Sequence, residues 1–394
     1  MKDRHEISSG AYANMAMLIL CFCYFVPNYA QYQVSPLGPT VMEQFGLSTG
    51  QLSALFSAPM IPAVFLSLLG GVLIDKLGPK LVIGTGICIA AGGCVLRVFA
   101  GSYAVLLIAT ALTGFAAVFI NAGGGKLLGG LYGAEKVNEK MGILMAASTA
   151  GMALSMFTSA RFPNIKAAFG TTAVLSAVSA VLWVVFMKNP VESRQEEDTQ
   201  MPSLKECILM AAGCRDVWLV GIAMFFIMAA NVVISSFLPT ALSTRGIGAV
   251  TAGNLGTFLT LGNFLGCFTA PAMIRKTGSQ KRVLFASGLL AGAGIAASWM
   301  IPWIPVMAAA LLLTGMFLGG MIPTLMALPV QFREIGPVYA GTAGGIVGTV
   351  QLLGAVLVPS YIIAPIAGSN FALLFLLGGA CMALASAVTL FLRA

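Results

Sequence analysis

The sequence predicts an all-α polytopic membrane protein, about twelve transmembrane helices arranged as two six-helix halves. Three observations carry this expectation. Hydrophobic residues make up 58% of the 394 and charged residues only 9%, against roughly a quarter charged in soluble domains. The apolar residues fall into runs of about 20, the length that crosses a ~30 Å hydrocarbon layer. The two halves also repeat each other at an offset of about two hundred residues, as a duplicated half does. Asn28 answers to Asn231, Pro39-Thr40 to Pro239-Thr240, Gly50-Gln51-Leu52 to Gly253-Asn254-Leu255, and Asp75-Lys76-Leu77-Gly78 to Arg275-Lys276-Thr277-Gly278.

Taken in order, the polar segment Met1 to Gly10 leads into an apolar stretch too long for a signal-peptide core and without a small-residue cleavage site, so a retained first span is expected. Hydropathy places the spans of the first half at residues 12–34, 51–72, 81–98, 103–125, 141–160 and 171–187. Residues 188–216 hold the one sustained hydrophilic run, Arg194 to Asp198, read as a solvated cytoplasmic linker with an interfacial helix around Leu204 to Ala211. The second half then has spans at 217–238, 251–274, 283–300, 305–326, 338–359 and 371–392. The domains expected are therefore an N-terminal bundle (1–187), the linker (188–216) and a C-terminal bundle (217–394).

The net charge of +8 raises the question of an acidic partner, and its placement answers it. Of the 21 basic residues, only Arg97, Arg161, Lys166 and Arg245 fall on the side away from the N-terminus. By the positive-inside rule both termini are expected in the cytoplasm, with the chain in the plasma (inner) membrane. Nucleic-acid binding is not needed to explain the charge. Eight cysteines form no CxxC pair and mostly sit in apolar runs, where they read as small buried hydrophobes. The single histidine, His5, lies in the polar tail. No metal site, cofactor or catalytic constellation is expected, and an enzyme is disfavoured because no span carries a histidine, a buried carboxylate or an activated-nucleophile pattern. The expected partners are a small-molecule substrate and the bilayer, with the protein as a monomer.

The break between the second and third spans, Gly71 to Lys80, reads G-x-x-x-D-K-x-G-x-K. It resembles the loop between the second and third helices of the major facilitator superfamily of transporters, with Lys76 in place of the usual arginine and Pro79 where many members carry a basic residue. The resemblance implies two six-helix halves that rock about a midplane substrate site, and it assigns conformational roles to Gly71, Asp75, Lys76, Gly78 and Lys80 and to their repeat partners Arg275 and Lys276. Asp75 is expected to meet the positive N-terminal end of the eleventh span when the cytoplasmic side closes. Two departures from the family disfavour export antiport: no proline motif in Ala146 to Met152, and no arginine near Thr110. Tyr32 to Pro36 resembles a Ser-Pro turn of anion-porter branches, with Gln33 where those often carry arginine.

Polar groups inside a membrane are expensive and so are candidates for function. Tyr24, Asn28, Gln31 and Tyr32 fall at i, i+4, i+7 and i+8 and share one face of the first span. The alternatives are a substrate-pocket lining or an interhelical hydrogen-bond cluster with interfacial tyrosines. Asn231 with Ser235 occupies the corresponding face of the seventh span, while Asn121, Asn263 and Gln351 are single amides in the fourth, eighth and eleventh. For each of these, substrate contact and helix-to-helix bonding stay open. Lys126 either snorkels from a helix end or attracts an anionic substrate. Arg97 and Arg161 read as interfacial, and the many glycines of the fourth and eleventh spans read chiefly as helix packing.

Together these features predict a secondary active or facilitative transporter, a symporter or uniporter working by alternating access. A small organic or inorganic anion is the favoured substrate because the charges near the membrane are basic and uncompensated. No Asp or Glu lies well inside a span, which disfavours cationic drugs and carboxylate-based proton coupling. A neutral or amphipathic solute is the alternative cargo, and a non-transporting solute sensor the alternative class.

Overall fold

A computed structural model describes residues 10–133, 136–188, 204–332 and 334–393. His5 and the charged run Arg194 to Asp198 lie outside the described residues. The first half runs through α1 (Gly10–Tyr32), a short α2 (Gly38–Phe45), α3 (Thr49–Ser57), α4 (Ile61–Leu77), α5 (Pro79–Val98), α6 (Tyr103–Tyr132), α7 (Val137–Thr158) and α8 (Ile165–Phe186). After α9 (Leu204–Gly213) come α10 (Arg215–Thr244), α11 (Ala249–Thr277), α12 (Gln280–Ala297), α13 (Ile304–Met326), α14 (Gly336–Leu357), a single turn α15 (Ala364–Ala367) and α16 (Phe371–Leu390). Among the described residues, 12 segments are long and apolar enough to cross a membrane, one of them the α3–α4 pair and one α14 continued to Ala367.

Several helices outrun the lengths expected from hydropathy. α6 continues past Gly125 to Tyr132, because Leu127, Leu128 and Leu131 bury in the first-half core, and it stops at Gly133 with φ +82°. α10 passes through Pro239 to Thr244. α14 runs into a π-turn at Val358–Ile363 that contains Pro359. A helix, α9, stands where one is expected near Leu204.

Within each half, small residues replace the hydrophobic drive that lipid does not supply. α11 and α13 cross at Gly262, Gly266, Gly315, Gly319 and Gly320, where an added Cβ would collide with the facing backbone. The outer face of α8 shows the complement: Val174, Val178, Val181 and Val185, spaced three and four apart, are all exposed. Not every glycine is a packing glycine, however. At Gly341, Gly344 and Gly348 on α14 an added Cβ would meet nothing within 4 Å, while Gly354 further along packs against the Phe225 backbone.

The halves touch along α7 with α11 and α4 with α14, and where α2 and α3 meet α10 and the π-turn after α14. Call the face where α1 begins the near face and that where it ends the far face. Among the described residues the hydrogen bonds that cross between halves all lie at the far face: Ser35 to the Ser235 and Ser236 carbonyls, Thr49 to Gly368, Ser360 to Ser53, Arg161 to Asn254, and Thr257 to Ala153. The halves are tied together there, and the bare glycines of α14 lie toward the near face.

Candidate functional site

The two halves enclose a central cavity of about 770 Å³. Its lining includes eight of the residues singled out by sequence: Tyr24, Asn28, Gln31, Tyr32, Asn121, Asn231, Asn263 and Gln351. Lys126 is exposed and is not among the lining residues. No charged side chain lines the cavity among the described residues.

The spacing that put Tyr24, Asn28, Gln31 and Tyr32 on one face of α1 does bring them to one wall. The Tyr24 hydroxyl donates to Asn121 Oδ1 at 2.6 Å, joining α1 to α6. Asn28 Nδ2 donates to the Tyr24 carbonyl at 2.8 Å, one helical turn back, and Gln31 Nε2 donates to the Phe56 carbonyl at 3.2 Å. Tyr32 packs edge-on against Phe56, centroids 5.2 Å apart. The two alternatives weighed for this face, pocket lining and interhelical bonding, therefore coexist: all four residues line the cavity, and Tyr24 and Gln31 bond to other helices.

Across the cavity the amides are arranged differently. Ser235 donates to Asn231 Oδ1 at 3.1 Å. Asn263 Oδ1 and Gln351 Oε1 are buried without any hydrogen-bond partner. Their amide nitrogens, like those of Asn121 and Asn231, make no hydrogen bond among the described residues.

Spacing did not single out other lining residues, among them Ser148 and Thr149 on α7, Thr260 and Cys267 on α11, and Met60, Met145, Met152, Met228 and Met326. Thr260, Asn263 and Cys267 stand at i, i+3 and i+7, a face legible once Asn263 is the anchor. The methionines look like core in any apolar run.

Arg97 differs from expectation, while Arg161 is exposed at the span end. Arg97 is 2% exposed, its guanidinium over the Phe169 ring at 4.1 Å and donating to the Ala30 carbonyl at 3.0 Å. It is a buried pin between α1, α5 and α8 and not an interfacial anchor. Arg161 stacks on Phe157 at 3.8 Å and donates to Asn254 at 2.9 Å, so it ties the halves together. Gln33 of the Ser-Pro turn faces away from the cavity, donating to the Ala168 carbonyl at 2.7 Å and accepting from Thr172 at 2.9 Å.

In the G-x-x-x-D-K loop, Gly78 has φ +80° and joins α4 to α5, and Pro79 follows at the first helical position. Gly278 plays the same part after α11 with φ +66°. Lys76, Arg275 and Lys276 are exposed at the ends of α4 and α11, and the Lys80 carbonyl accepts from Trp183 at 3.0 Å. The Asp75 side chain, and those of residues 336–340 at the start of α14, lie outside what the structure describes.

Comparison with known proteins follows the same lines. The profile of the Major Facilitator Superfamily matches residues 20–359. The chain is 35% identical over 95 residues to a probable sulfoacetate transporter, SauU, of Cupriavidus necator, covering 24% of this chain and 22% of that one. It is 25% identical over 336 residues to the MFS-type transporter YceJ of Bacillus subtilis, covering 84% of each. It is 25% identical over 177 residues to a probable L-galactonate transporter of Escherichia coli, covering 44% of this chain and 39% of that one. In three dimensions it superposes on a mutant form of the nucleoside transporter NupG with a TM-score of 0.79 at 14% identity, over 96% of this chain and all of that one, a likeness of fold. With 12 spanning segments in two halves and a profile match over most of its length, the chain belongs to the Major Facilitator Superfamily of transporters.

Proposed function

We propose that this transporter moves a small organic anion, as a symporter or uniporter, by alternating access. One observation carries the reading: four carboxamides from four helices, Asn121, Asn231, Asn263 and Gln351, line the cavity with their oxygens engaged or buried. What they present to a ligand is N–H, and preorganised N–H dipoles in a low-dielectric site stabilise negative charge. The relatives whose printed substrates are sulfoacetate and L-galactonate, both organic acids, support the same class.

On this reading substrate contacts Tyr24, Asn28, Gln31, Tyr32, Asn121, Asn231, Asn263 and Gln351, and Lys126 attracts anions toward the cavity without holding them. Gly71, Asp75, Lys76, Gly78, Lys80, Arg275 and Lys276 belong to the near-face gate. With both termini in the cytoplasm of an inner-membrane monomer, the near face is the inward-open one. The lack of a lining cation among the described residues and the abundance of methionine favour a second reading, a neutral amphipathic solute.

Proteoliposomes separate the two. Uptake of sulfoacetate or L-galactonate, unaffected by excess neutral monosaccharide, supports the anion reading. Flux of neutral solutes alone refutes it, and binding without flux of any solute would mark a sensor.

A further inference from the structure

The amides of the cavity do not all face the same way, and the direction of each has a cause. On α1, the partners of Asn28 and Gln31 are main-chain carbonyls, which only accept. One N–H of each amide is therefore spent on the protein, while the side-chain oxygens Asn28 Oδ1 and Gln31 Oε1 accept no hydrogen bond among the described residues and are free for a ligand. On the opposite wall the sense is reversed. Asn231 Oδ1 accepts from Ser235, and the oxygens of Asn263 and Gln351 are buried, leaving N–H for the ligand. Asn121 on α6 has this second sense too, its oxygen taken by Tyr24.

We propose that the cavity is polarised, with acceptors on α1 and donors on α10, α11 and α14, and that it selects a hydroxylated organic anion in one orientation. The acid group lies against Asn231, Asn263 and Gln351 of the C-terminal half, and a hydroxyl lies against Asn28 and Gln31. The inference rests on the anion reading and adds to it the second pole of the substrate and the direction in which it binds. An acid oxygen placed against α1 would meet two carbonyl oxygens and at most one remaining N–H on each amide, so the reverse pose is disfavoured. The buried, donorless carbonyls of Asn263 and Gln351 point the same way. Such groups destabilise the empty protein, and no hydrogen bond among the described residues accounts for keeping an amide at either position.

The test compares three probes on the purified full-length protein: L-galactonate (acid and hydroxyls), sulfoacetate (acid groups without hydroxyl) and L-galactose (hydroxyls without acid). Ligand-dependent thermal shift and calorimetric affinity are the readouts. The wild type is expected to bind L-galactonate about tenfold or more tighter than sulfoacetate, as loss of a hydrogen bond in a desolvated site allows. Asn263→Leu and Gln351→Met are expected to weaken both acids about tenfold or more, yet to melt at or above the wild-type temperature without ligand. A structural role for these amides would lower it. Gln31→Met is expected to weaken L-galactonate alone, toward the affinity of sulfoacetate. If sulfoacetate binds as tightly as L-galactonate, or if Gln31→Met affects both acids equally, the polarity is wrong although the anion reading stands. If the C-terminal variants melt lower and keep their affinities, the placement of the acid group is wrong. Binding of L-galactose with neither acid overturns the anion reading and this inference with it. The wild-type comparison decides the second pole even if a variant fails to fold.

Discussion

The Ser35 hydroxyl donates to the Ser235 carbonyl at 2.5 Å, and that carbonyl is available because the residue one helical turn on, Pro239, has no N–H to offer it. A side chain from one half thus satisfies the main-chain group that a proline has orphaned in the other. In a bilayer such a group has no water to turn to. Pro239 within α10 and the far-face closure are in this sense one feature.

Removing either partner is expected to loosen the far face. Ser35→Ala deletes the donor, and Pro239→Ala supplies the Ser235 carbonyl with a helical N–H of its own. A net hydrogen bond is worth about 0.5–1.5 kcal/mol, so each change shifts the conformational balance about two- to tenfold. The shift is read by labelling Cys267, which lines the cavity, with an impermeant maleimide added from the far side, the other cysteines being alanine. Because both changes act on one carbonyl, the double variant should label little more than the stronger single one. Additive effects would uncouple the two residues.

The bare glycines of α14 lead to a different kind of variant. Gly344 and Gly348 line the cavity and have open space where a side chain would go. Leucine at Gly348 should leave thermal stability within about 0.5 kcal/mol of wild type, as for an exposed change away from special contacts. It should nonetheless block approach of the halves at the near face and reduce flux more than tenfold. Normal exchange in proteoliposomes would show that this surface stays apart throughout the cycle.

Gly319 is the counter-case. A Cβ there would run into the Asn263 backbone, so Gly319→Ala has to push α13 away from α11. Overpacking of this kind costs about 1–3 kcal/mol. Asn263 moves with its helix, so anion affinity should fall together with the melting temperature. Calorimetry alongside thermal unfolding checks the coupling, in contrast to Asn263→Leu, where the two are expected to separate.

Asp75→Asn tests the near-face gate. If the Asp75 carboxylate meets the N-terminal end of α14 on closure, the favourable charge–dipole term, about 0.3–1 kcal/mol at an exposed helix end, is lost with the charge. The balance should move toward the near-face-open form and transport should slow, with little change in substrate affinity. Loss of affinity with an unchanged balance would place Asp75 in the binding site instead.

The number and order of the spans, the duplication and the polar face of α1 were legible in the sequence, because each follows from a local rule. Bilayer thickness sets the run length, the helical period sets which residues share a face, and glycine at a positive φ marks the turns at Gly78 and Gly278. Asn121, Asn231, Asn263 and Gln351 could be noticed one by one as costly amides, but not oriented. Only the tertiary structure decided which end of each amide reaches the cavity, since that depends on partners far along the chain: Tyr24 meets a residue 97 positions away and Gln31 one 25 away. The same holds for Arg97, whose place at a span end suggested an interface but whose partners Ala30 and Phe169 draw it inside. It holds for the glycines too, which look alike in sequence and divide into packed and bare according to what stands opposite them. Local periodicity decides which face a residue occupies, and the neighbour across that face decides what the residue does there.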